Sequence, residues 1–222
     1  MAKIILSCAI TGSIHTPSMS PYLPVTGAEI ATQAIDAAKA GATILHLHAR
    51  DPANGRPSAD PAHWAGFLPA IKAGCDAVVN MSTGGSAVMT LDARLAAPKA
   101  FQPEMCSLNM GTMNFALYPM AARITEWKHV WEQPFLLGTD DLVFKNTPRD
   151  IAHVLAEMGA RGARFEFECY DMSHLHMLKH FVDRGAGAGP LYLQFVFGVL
   201  GGMAADPDML VLLKRTADRL FG

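Results

Sequence analysis

Two histidines separated by one residue, His46 and His48, stand at the end of the apolar run 42–47. Residues two apart on a β-strand point to the same side, so both imidazoles would project together. Imidazole nitrogens are common ligands of zinc and similar divalent ions. The spacing therefore predicts a metal site where a strand emerges into the polar segment 50–55. The alternative is a pair of hydrogen-bonded histidines that line a core.

Two further polar clusters follow apolar runs later in the chain. In the segment 82–85, Ser82 and Thr83 offer hydroxyls and two glycines expose backbone amides, which suits an oxygen of a carboxylate or a phosphate. A plain tight turn explains the same residues. Ser107 and Asn109 alternate at the next predicted strand end and would point into one cavity, unless they only make local turn bonds.

Two glutamates, Glu166 and Glu168, alternate along another predicted strand and so share one face. Two buried negative charges are costly without a partner. We therefore expect them to be paired with Arg50, with Arg164 or with a cation, in either a functional or a structural role.

Three other histidines need an interpretation. His176 and His180 are spaced i, i+4 on a predicted helix and form a rival metal site. That helix faces outward in either architecture considered below, so we interpret them as surface histidines. His15 follows the first predicted strand and either contacts a substrate or caps the loop.

Composition excludes several classes of protein. Half of the 222 residues are hydrophobic, 17% are charged and the net charge is −2, so the chain can build a large core and offers no basic surface for nucleic acid or an anionic membrane. The four cysteines form no C-x-x-C pair, which predicts reduced, mostly buried thiols in a cytoplasmic protein. The uncharged segment 185–205 contains a proline and several glycines, which favours a buried strand and a loop over a membrane helix.

The elements that must position these residues alternate along the chain. Capping signals at Thr26, Asp60, Thr147 and Asp206 predict helix starts, and Gly222 can close the last helix. Between the helices lie predicted strands, several of them apolar enough to be buried on both faces, at residues 4–10, 44–48, 77–81, 105–108, 164–168 and 192–196. This alternation predicts an α/β fold, either a (β/α)8 TIM barrel or a doubly wound open sheet, with function at the carboxyl ends of the strands.

Taken together, these motifs resemble the β-keto acid cleavage enzyme family over essentially the whole chain. The matching segments, in the order and spacing of the family, are 9–12, 46–50, 82–85, 107–115 and 194–203. The resemblance implies a (β/α)8 barrel with a divalent metal, usually zinc, assembled as a homo-oligomer, for which a tetramer is favoured. It also implies condensation of a β-keto acid with acetyl-CoA to give acetoacetate and a new acyl-CoA, with coenzyme A entering over the barrel mouth.

The resemblance assigns roles to individual residues. His46 and His48 match the two metal-binding histidines of the family. Ser82, Gly85, Ser107 and Asn109 match its substrate-contacting positions. An acid that recognises an amino group in the best-known member is replaced by Ile14, so a positively charged substrate is not expected, and His15 suggests a different substrate terminus.

Other family residues have no match in this chain. The third protein ligand of the metal, a glutamate on the eighth strand, is one of them. The late arginine and the aspartate credited with catalysis are the others, and all of them would fall beyond Gly222, so the catalytic residues stay unassigned. We therefore expect residues 1–222 to be a single barrel domain that covers about the first six βα units, with an apolar lumen and the remaining units missing. The alternatives are a wall supplied by a partner chain, an inactive remnant, or another metal-assisted aldolase or hydrolase.

Overall fold

The computed structural model describes residues 4–86, 89–187 and 189–222. Its strands are β1 (Ser7–Ala9), β2 (Ile44–Leu47), β3 (Ala49–Arg50), β4 (Pro57–Ser58), β5 (Val78–Ser82), β6 (Met105–Asn109), β7 (Met113–Asn114), β8 (Val143–Phe144), β9 (Arg164–Cys169) and β10 (Tyr192–Phe195). Its α-helices are α1 (Gly27–Lys39), α2 (Pro61–Ala65), α3 (Leu68–Gly74), α4 (Leu91–Phe101), α5 (Glu132–Leu137), α6 (Pro148–Gly159), α7 (Met172–Val182) and α8 (Pro207–Phe221).

The helix starts follow the predicted capping residues. Thr26 and Thr147 each cap a helix and form a reciprocal capping box with the side chain three residues on. The carboxylates of Asp60 and Asp206 accept hydrogen bonds from the first turns of α2 and α8, and both helices begin with proline. These signals are local, so the sequence alone located them correctly.

The end of α8 also lies where the sequence predicts it. Gly222 follows the last helical residue, and its backbone N–H donates to the carbonyl of Asp218 at 2.9 Å. Its φ is +94°, a left-handed conformation that glycine adopts without the steric cost of a Cβ. Gly222 therefore caps the helix and is not part of the chemistry described below.

All six strands expected from the sequence form one parallel sheet, in the order β1-β2-β5-β6-β9-β10. The first is shorter than expected, since residues 4–6 lie outside β1 and the Ile4 side chain is 86% exposed. The spatial order repeats the chain order with no reversal. A doubly wound sheet needs a point where the strand order reverses, so this order favours the barrel alternative over the open sheet.

The sheet is strongly curved. His46 on β2 and Glu166 on β9 are three strand positions apart, which corresponds to about 14 Å in a flat sheet. Their side chains nevertheless meet, with His46 Nδ1 and Glu166 Oε1 separated by 2.9 Å. The sheet therefore forms a half-barrel whose concave face brings distant strands together.

The two faces of the half-barrel differ in polarity. Leu45, Leu47, Met81 and Leu108 belong to the two apolar clusters shared with the helices. The alternate positions of the same strands are polar and buried, and comprise His46, Asn80, Ser82, Ser107, Asn109, Glu166 and Glu168. Strands β2, β5 and β6 are buried on both faces, as expected, but the concave face is polar, so the expectation of an apolar lumen is wrong.

A long excursion between β7 and β8, residues 115–142, lies over the mouth of the half-barrel, and we call it the mouth cover. It carries α5 and two 3₁₀ helices, Tyr118–Arg123 and Gly138–Asp141. The buried carboxylate of Glu132 accepts hydrogen bonds from the backbone and hydroxyl of Ser18, at 2.7 and 3.0 Å. The indole of Trp131 donates to the carbonyl of Asn54 at 3.1 Å. These contacts fix the cover to two loops at the carboxyl ends of the strands.

The structure also bears on the expectations for the uncharged segment 185–205 and for the four cysteines. None of the helices in the described part of the chain has the length and apolar character needed to cross a membrane. The uncharged segment 185–205, of which residue 188 lies outside the described residues, contains β10 followed by a glycine-rich loop. The four cysteines are free, and Cys106 and Cys169 are buried.

Candidate metal and substrate site

Three buried side chains converge on one point of the concave face. His46 Nδ1 lies 2.9 Å from Glu166 Oε1, and His46 Nε2 lies 4.0 Å from Glu168 Oε1. Ligand atoms from these three residues lie within 4.8 Å of one another. The amide of Asn80 approaches His46 Nδ1 at 3.4 Å. We call His46, Glu166 and Glu168 the His–Glu cluster.

The electrostatics of the His–Glu cluster favour a bound cation. Burial opposes a charge on His46, but the hydrogen bond to Glu166 and the charges of Glu168 and Glu166 outweigh it and raise the pKa of His46. Burial and the neighbouring Glu166 raise the pKa of Glu168. Glu166 Oε2 is buried and has no hydrogen-bond partner in the described part of the chain. Two buried carboxylates and an imidazole form a donor set that fits zinc or a similar divalent ion.

Arg50, one of the partners expected for the glutamates, is used elsewhere. Its guanidinium donates to the carbonyls of Gly55, Thr11 and Gly12 at 2.7, 3.2 and 2.8 Å. Arg164 begins β9 and is exposed. Glu166 and Glu168 face His46 on the concave face, where a bound cation would balance their charges.

His48 lies directly after β2, with its ring centroid 4.9 Å from that of His46. Burial, followed by the charges of His46 and Arg50, holds the pKa of His48 well below its usual value, so the imidazole is neutral, which is the form that binds metals. Its Nδ1 is buried and has no partner among the described residues. His48 is not one of the three convergent residues, so its role as a ligand stays a prediction.

The serine–glycine segment forms a tight loop beside these groups. Ser82 Oγ accepts hydrogen bonds from the backbone of Gly84 at 3.1 Å and from Ser107 Oγ at 3.4 Å. Thr83 Oγ1 donates to the carbonyl of Ser107 at 2.6 Å. Ser107 is fully buried and does not line the main cavity, so its predicted contact with a substrate stays a prediction. The residues of this region that line the main cavity include Ser82, Gly85, Asn109, His46 and His48.

The main cavity has a volume of about 590 Å³ and joins two unlike surfaces. Its floor is the polar concave face of the sheet. Ile14 and His15 complete the rim, with His15 on the solvent side. This cavity suits a small molecule with an oxygen-rich end at the sheet and an uncharged remainder under the roof. The roof is mostly apolar and comes from the mouth cover and its flanks, with Phe115, Leu117, Trp131, Phe135 and Phe144, and the guanidinium of Arg56 lies over Trp131 at the same cavity.

The rival histidine pair on α7 differs from the His–Glu cluster in its exposure to solvent. His176 and His180 are exposed on α7, as the surface interpretation predicted. The neighbouring His174 is buried, and its Nδ1 accepts a hydrogen bond from the backbone of Tyr170 at 3.2 Å. Within the described part of the chain, the α7 histidines do not converge with other ligands on a second metal site.

The catalytic acid, base and arginine that the family resemblance implies have no match among residues 1–222, and their positions stay a prediction. Gly222 itself caps α8 and does not line the main cavity. The third protein ligand expected from the resemblance, a glutamate on an eighth strand, is a separate prediction from Glu166 and Glu168, which face His46 on the concave face. The position of that late glutamate stays a prediction, whereas two buried carboxylates that could bind a cation are present on β9.

Gly85 shapes the loop by having no side chain. Its φ is +57°, and a Cβ there would lie 2.9 Å from Met89 Sδ and 3.1 Å from Arg94 Cγ. We expect Gly85→Ala to lower the free energy of unfolding by about 1–3 kcal/mol, because the left-handed backbone and the close contacts are both unfavourable. Gly84→Ala is the matched control, since its Cβ would meet only Ser82 Oγ at 3.3 Å. Urea denaturation measures both, and equal losses would contradict the assignment.

Comparisons with known proteins identify the family of this chain. A family model for beta-keto acid cleavage enzymes matches residues 3–222. A protein from Paraburkholderia graminis named 3,5-dioxohexanoate:acetyl-CoA acetone transferase is 59% identical over 220 residues, which cover 99% of this chain and 71% of that protein. A 3-keto-5-aminohexanoate cleavage enzyme from Acetoanaerobium sticklandii is 34% identical, with 96% of this chain and 69% of that protein covered.

A third relative and a solved structure extend the comparison. A 3-dehydrocarnitine:acetyl-CoA trimethylamine transferase from Rhizobium meliloti is 30% identical, with 92% of this chain and 67% of that protein covered. The apo structure of ObcA superposes with a TM-score of 0.61 at 23% identity, and the match covers 81% of this chain but 37% of ObcA. The similarity to ObcA supports the fold alone.

Proposed function

Because the chain belongs to the beta-keto acid cleavage enzyme family, we propose that it transfers the acyl group of a β-keto acid to coenzyme A, with acetyl-CoA as co-substrate. The names of two acetyl-CoA-dependent relatives support this reaction. The observation that carries the proposal is the shared cavity in which His46 and Glu168 face Ser82, Gly85 and Asn109.

The reaction conserves every atom of its substrates. The bond between C2 and C3 of the β-keto acid breaks, and the acyl fragment that contains C3 leaves on the sulfur of coenzyme A. The carboxymethyl fragment, C1 and C2, forms a new carbon–carbon bond to the acetyl group. The products are acetoacetate and a new acyl-CoA, and no oxidant or reductant is needed.

The residues of the cavity wall would orient the β-keto acid. The hydroxyl of Ser82, the backbone at Gly85 and the amide of Asn109 would hold the carboxylate and so place C2 for reaction. We propose that the His–Glu cluster, with His48 beside it, holds a divalent ion, most simply zinc. When bound, that ion supplies a Lewis acid for carbonyl chemistry. The buried site and the apolar roof keep water away from the reacting carbons.

The rim and roof of the cavity indicate the class of substrate. Ile14 and the aromatic side chains of the mouth cover offer no charged partner for an amino group. A β-keto acid with a neutral tail fits this surface, and the P. graminis relative is named for such a compound, 3,5-dioxohexanoate. We therefore propose 3,5-dioxohexanoate or a similar neutral β-keto acid as substrate.

The assembly of the protein is part of the proposal. The curated relatives extend beyond the matched region, which covers 67–71% of their lengths. We propose that the fold is a (β/α)8 barrel in a single domain, in which two further βα units join the edge strands β1 and β10. We also propose that it acts in the cytoplasm as a homo-oligomer, with a tetramer favoured.

A labelled co-substrate tests the reaction. The zinc-loaded protein is incubated with 3,5-dioxohexanoate and acetyl-CoA that carries ¹³C in both acetyl carbons. We expect acetoacetate labelled at C3 and C4, together with unlabelled acetoacetyl-CoA, by mass spectrometry. Unlabelled acetoacetate that forms equally well without acetyl-CoA would contradict the proposal and favour a metal-assisted hydrolase or aldolase.

A further inference from the structure

We infer that Arg94 is a positioning residue. Its buried positive charge, behind the loop of residues 82–85, would attract the carboxylate of the β-keto acid to that loop. The inference rests on the proposed function, since it concerns the same ligand in the same cavity. It adds a residue from outside the concave face of the sheet, because Arg94 lies on α4.

Arg94 packs directly against the serine–glycine loop. Its side chain is 7% exposed, and its Cγ would lie 3.1 Å from a Cβ on Gly85. Arg94 also lines a small cavity of about 20 Å³ together with His48, Ser82 and Gly85. Such a space holds about one water molecule or one ligand oxygen. The arginine therefore reaches the same loop and histidine that face the proposed substrate, from the opposite side.

No carboxylate in the described part of the chain accepts a hydrogen bond from Arg94. Its Nη2 donates to the neutral amide oxygen of Asn146 at 3.1 Å, and its guanidinium lies 5.0 Å from the centre of the Phe144 ring. Its Nε is buried and has no partner among the described residues. Asp150 exerts an electrostatic influence on Arg94, but its carboxylate accepts hydrogen bonds from Lys145 and Thr147.

A buried guanidinium without a carboxylate partner is unfavourable, and a negative ligand nearby removes that penalty. The main cavity supplies the place for such a ligand at Ser82 and Gly85. The ligand end that carries a full negative charge in this reaction is the carboxylate of the β-keto acid. We therefore expect Arg94 to stabilise the carboxylate end of the substrate beside Ser82 and Gly85.

Asn146 extends this arrangement to the other side of the cavity. Its Nδ2 donates to the backbone carbonyl of Asn109 at 2.6 Å. The hydrogen-bonded pair of Arg94 and Asn146 thus contacts both the loop at Gly85 and the strand end at Asn109. The Arg94–Asn146 pair therefore holds Gly85 and Asn109 in place, and the carboxylate would lie between these two residues.

The test compares a carboxylate with its neutral ester. Dissociation constants of acetoacetate and methyl acetoacetate are measured by calorimetry with the zinc-loaded full chain and with Arg94→Met. We expect acetoacetate to bind at least about tenfold more weakly to the variant, because charge-assisted interactions with the carboxylate are lost. Binding of methyl acetoacetate and the KM for acetyl-CoA should change less than about threefold, since neither depends on the carboxylate.

Lys145→Met is the matched control, because it removes an exposed positive charge from the neighbouring cavity without touching the loop. We expect it to change neither ligand's affinity. Equal losses for the acid and the ester in Arg94→Met would show a merely structural role and overturn the inference. Unchanged affinity for acetoacetate would overturn it as well.

A second variant covers the case in which Arg94→Met does not fold. Asn146→Asp removes the hydrogen bond to the Asn109 carbonyl, which should affect the acid and the ester alike, and places a carboxylate next to the guanidinium, so acetoacetate should still lose more affinity than methyl acetoacetate. Retention of acetoacetate affinity within about threefold would overturn the inference. Failure of the proposed function has a different signature, because the unchanged protein would then give no labelled acetoacetate at all.

Discussion

Replacing His46 with alanine is expected to abolish tight binding of a divalent ion and, with it, the proposed reaction. His46 faces both glutamates, at 2.9 Å to Glu166 and 4.0 Å to Glu168. Without the imidazole the site loses a nitrogen ligand, and two buried carboxylates repel each other. We expect zinc affinity to fall by at least about a hundredfold, since even residues that only orient ligands contribute ten- to a hundredfold. Competition with a chromophoric chelator measures the affinity.

The control for this variant is His176→Ala, which removes an exposed histidine of α7 and should leave zinc affinity unchanged. Zinc bound with unaltered affinity by His46→Ala would move the metal site away from the concave face. Loss of zinc from His176→Ala would place it on the helix. Both proteins should be compared after the same dialysis, and thermal melting should show that each variant is folded.

Two more variants separate the ligand sets that the site allows. Glu166→Gln removes one negative charge from the His–Glu cluster and leaves the shape unchanged. His48→Ala removes the neighbouring neutral imidazole. A cluster that binds through both glutamates predicts the larger loss of affinity for Glu166→Gln. A site built on the two histidines predicts the larger loss for His48→Ala.

The sequence predicted the parts of this fold that depend on local interactions. A threonine that caps a helix, such as Thr26 or Thr147, forms its hydrogen bonds within the same turn. The strands of the sheet were found because a buried parallel strand leaves a short apolar run. The position of the polar residues at the carboxyl ends of strands then followed from the topology shared by barrels and open sheets.

The convergence of the His–Glu cluster could not be predicted in the same way. His46 and Glu166 are 120 residues apart in sequence and three strand positions apart in the sheet. Their contact depends on how strongly the sheet curves, and that is a property of the whole layer of helices and strands. Sequence alternation placed both glutamates on one face and showed that they need a partner. It did not identify the partner as His46.

The sequence gives even weaker signals for the roof of the cavity and for the residues behind its loop. The mouth cover has no regular hydrophobic period, and its position depends on tethers such as the one between Glu132 and Ser18. Arg94 looks like an ordinary helical arginine in sequence, yet it is buried beneath Gly85. Long-range contacts of this kind are invisible to local patterns. The polar residues on the floor of the site were therefore predictable, whereas their convergence, the roof and the buried arginine behind the loop were not.

Arg50→Met is expected to cause the largest loss of stability among substitutions near the site. Arg50 is 2% exposed, and its guanidinium joins the carbonyls of Thr11 and Gly12 after β1 to that of Gly55 in the next loop. Methionine fills much of the same volume but leaves these carbonyls without their donors. Unsatisfied buried polar groups each cost about 1–3 kcal/mol, so we expect the free energy of unfolding to fall by about 3 kcal/mol or more.

Arg56→Met is the matched control for Arg50→Met, because it removes an exposed arginine from the same loop. Its side chain stacks on Trp131 at 5.3 Å from the ring centre, a contact whose loss should cost less than about 1 kcal/mol. Urea denaturation of both variants gives the difference. Arg50→Lys keeps the charge, but a single ammonium cannot replace the planar fork that reaches both loops, so it should recover less than half of the loss. Full recovery by lysine would show that the charge stabilises the two loops and that the shape of the guanidinium does not.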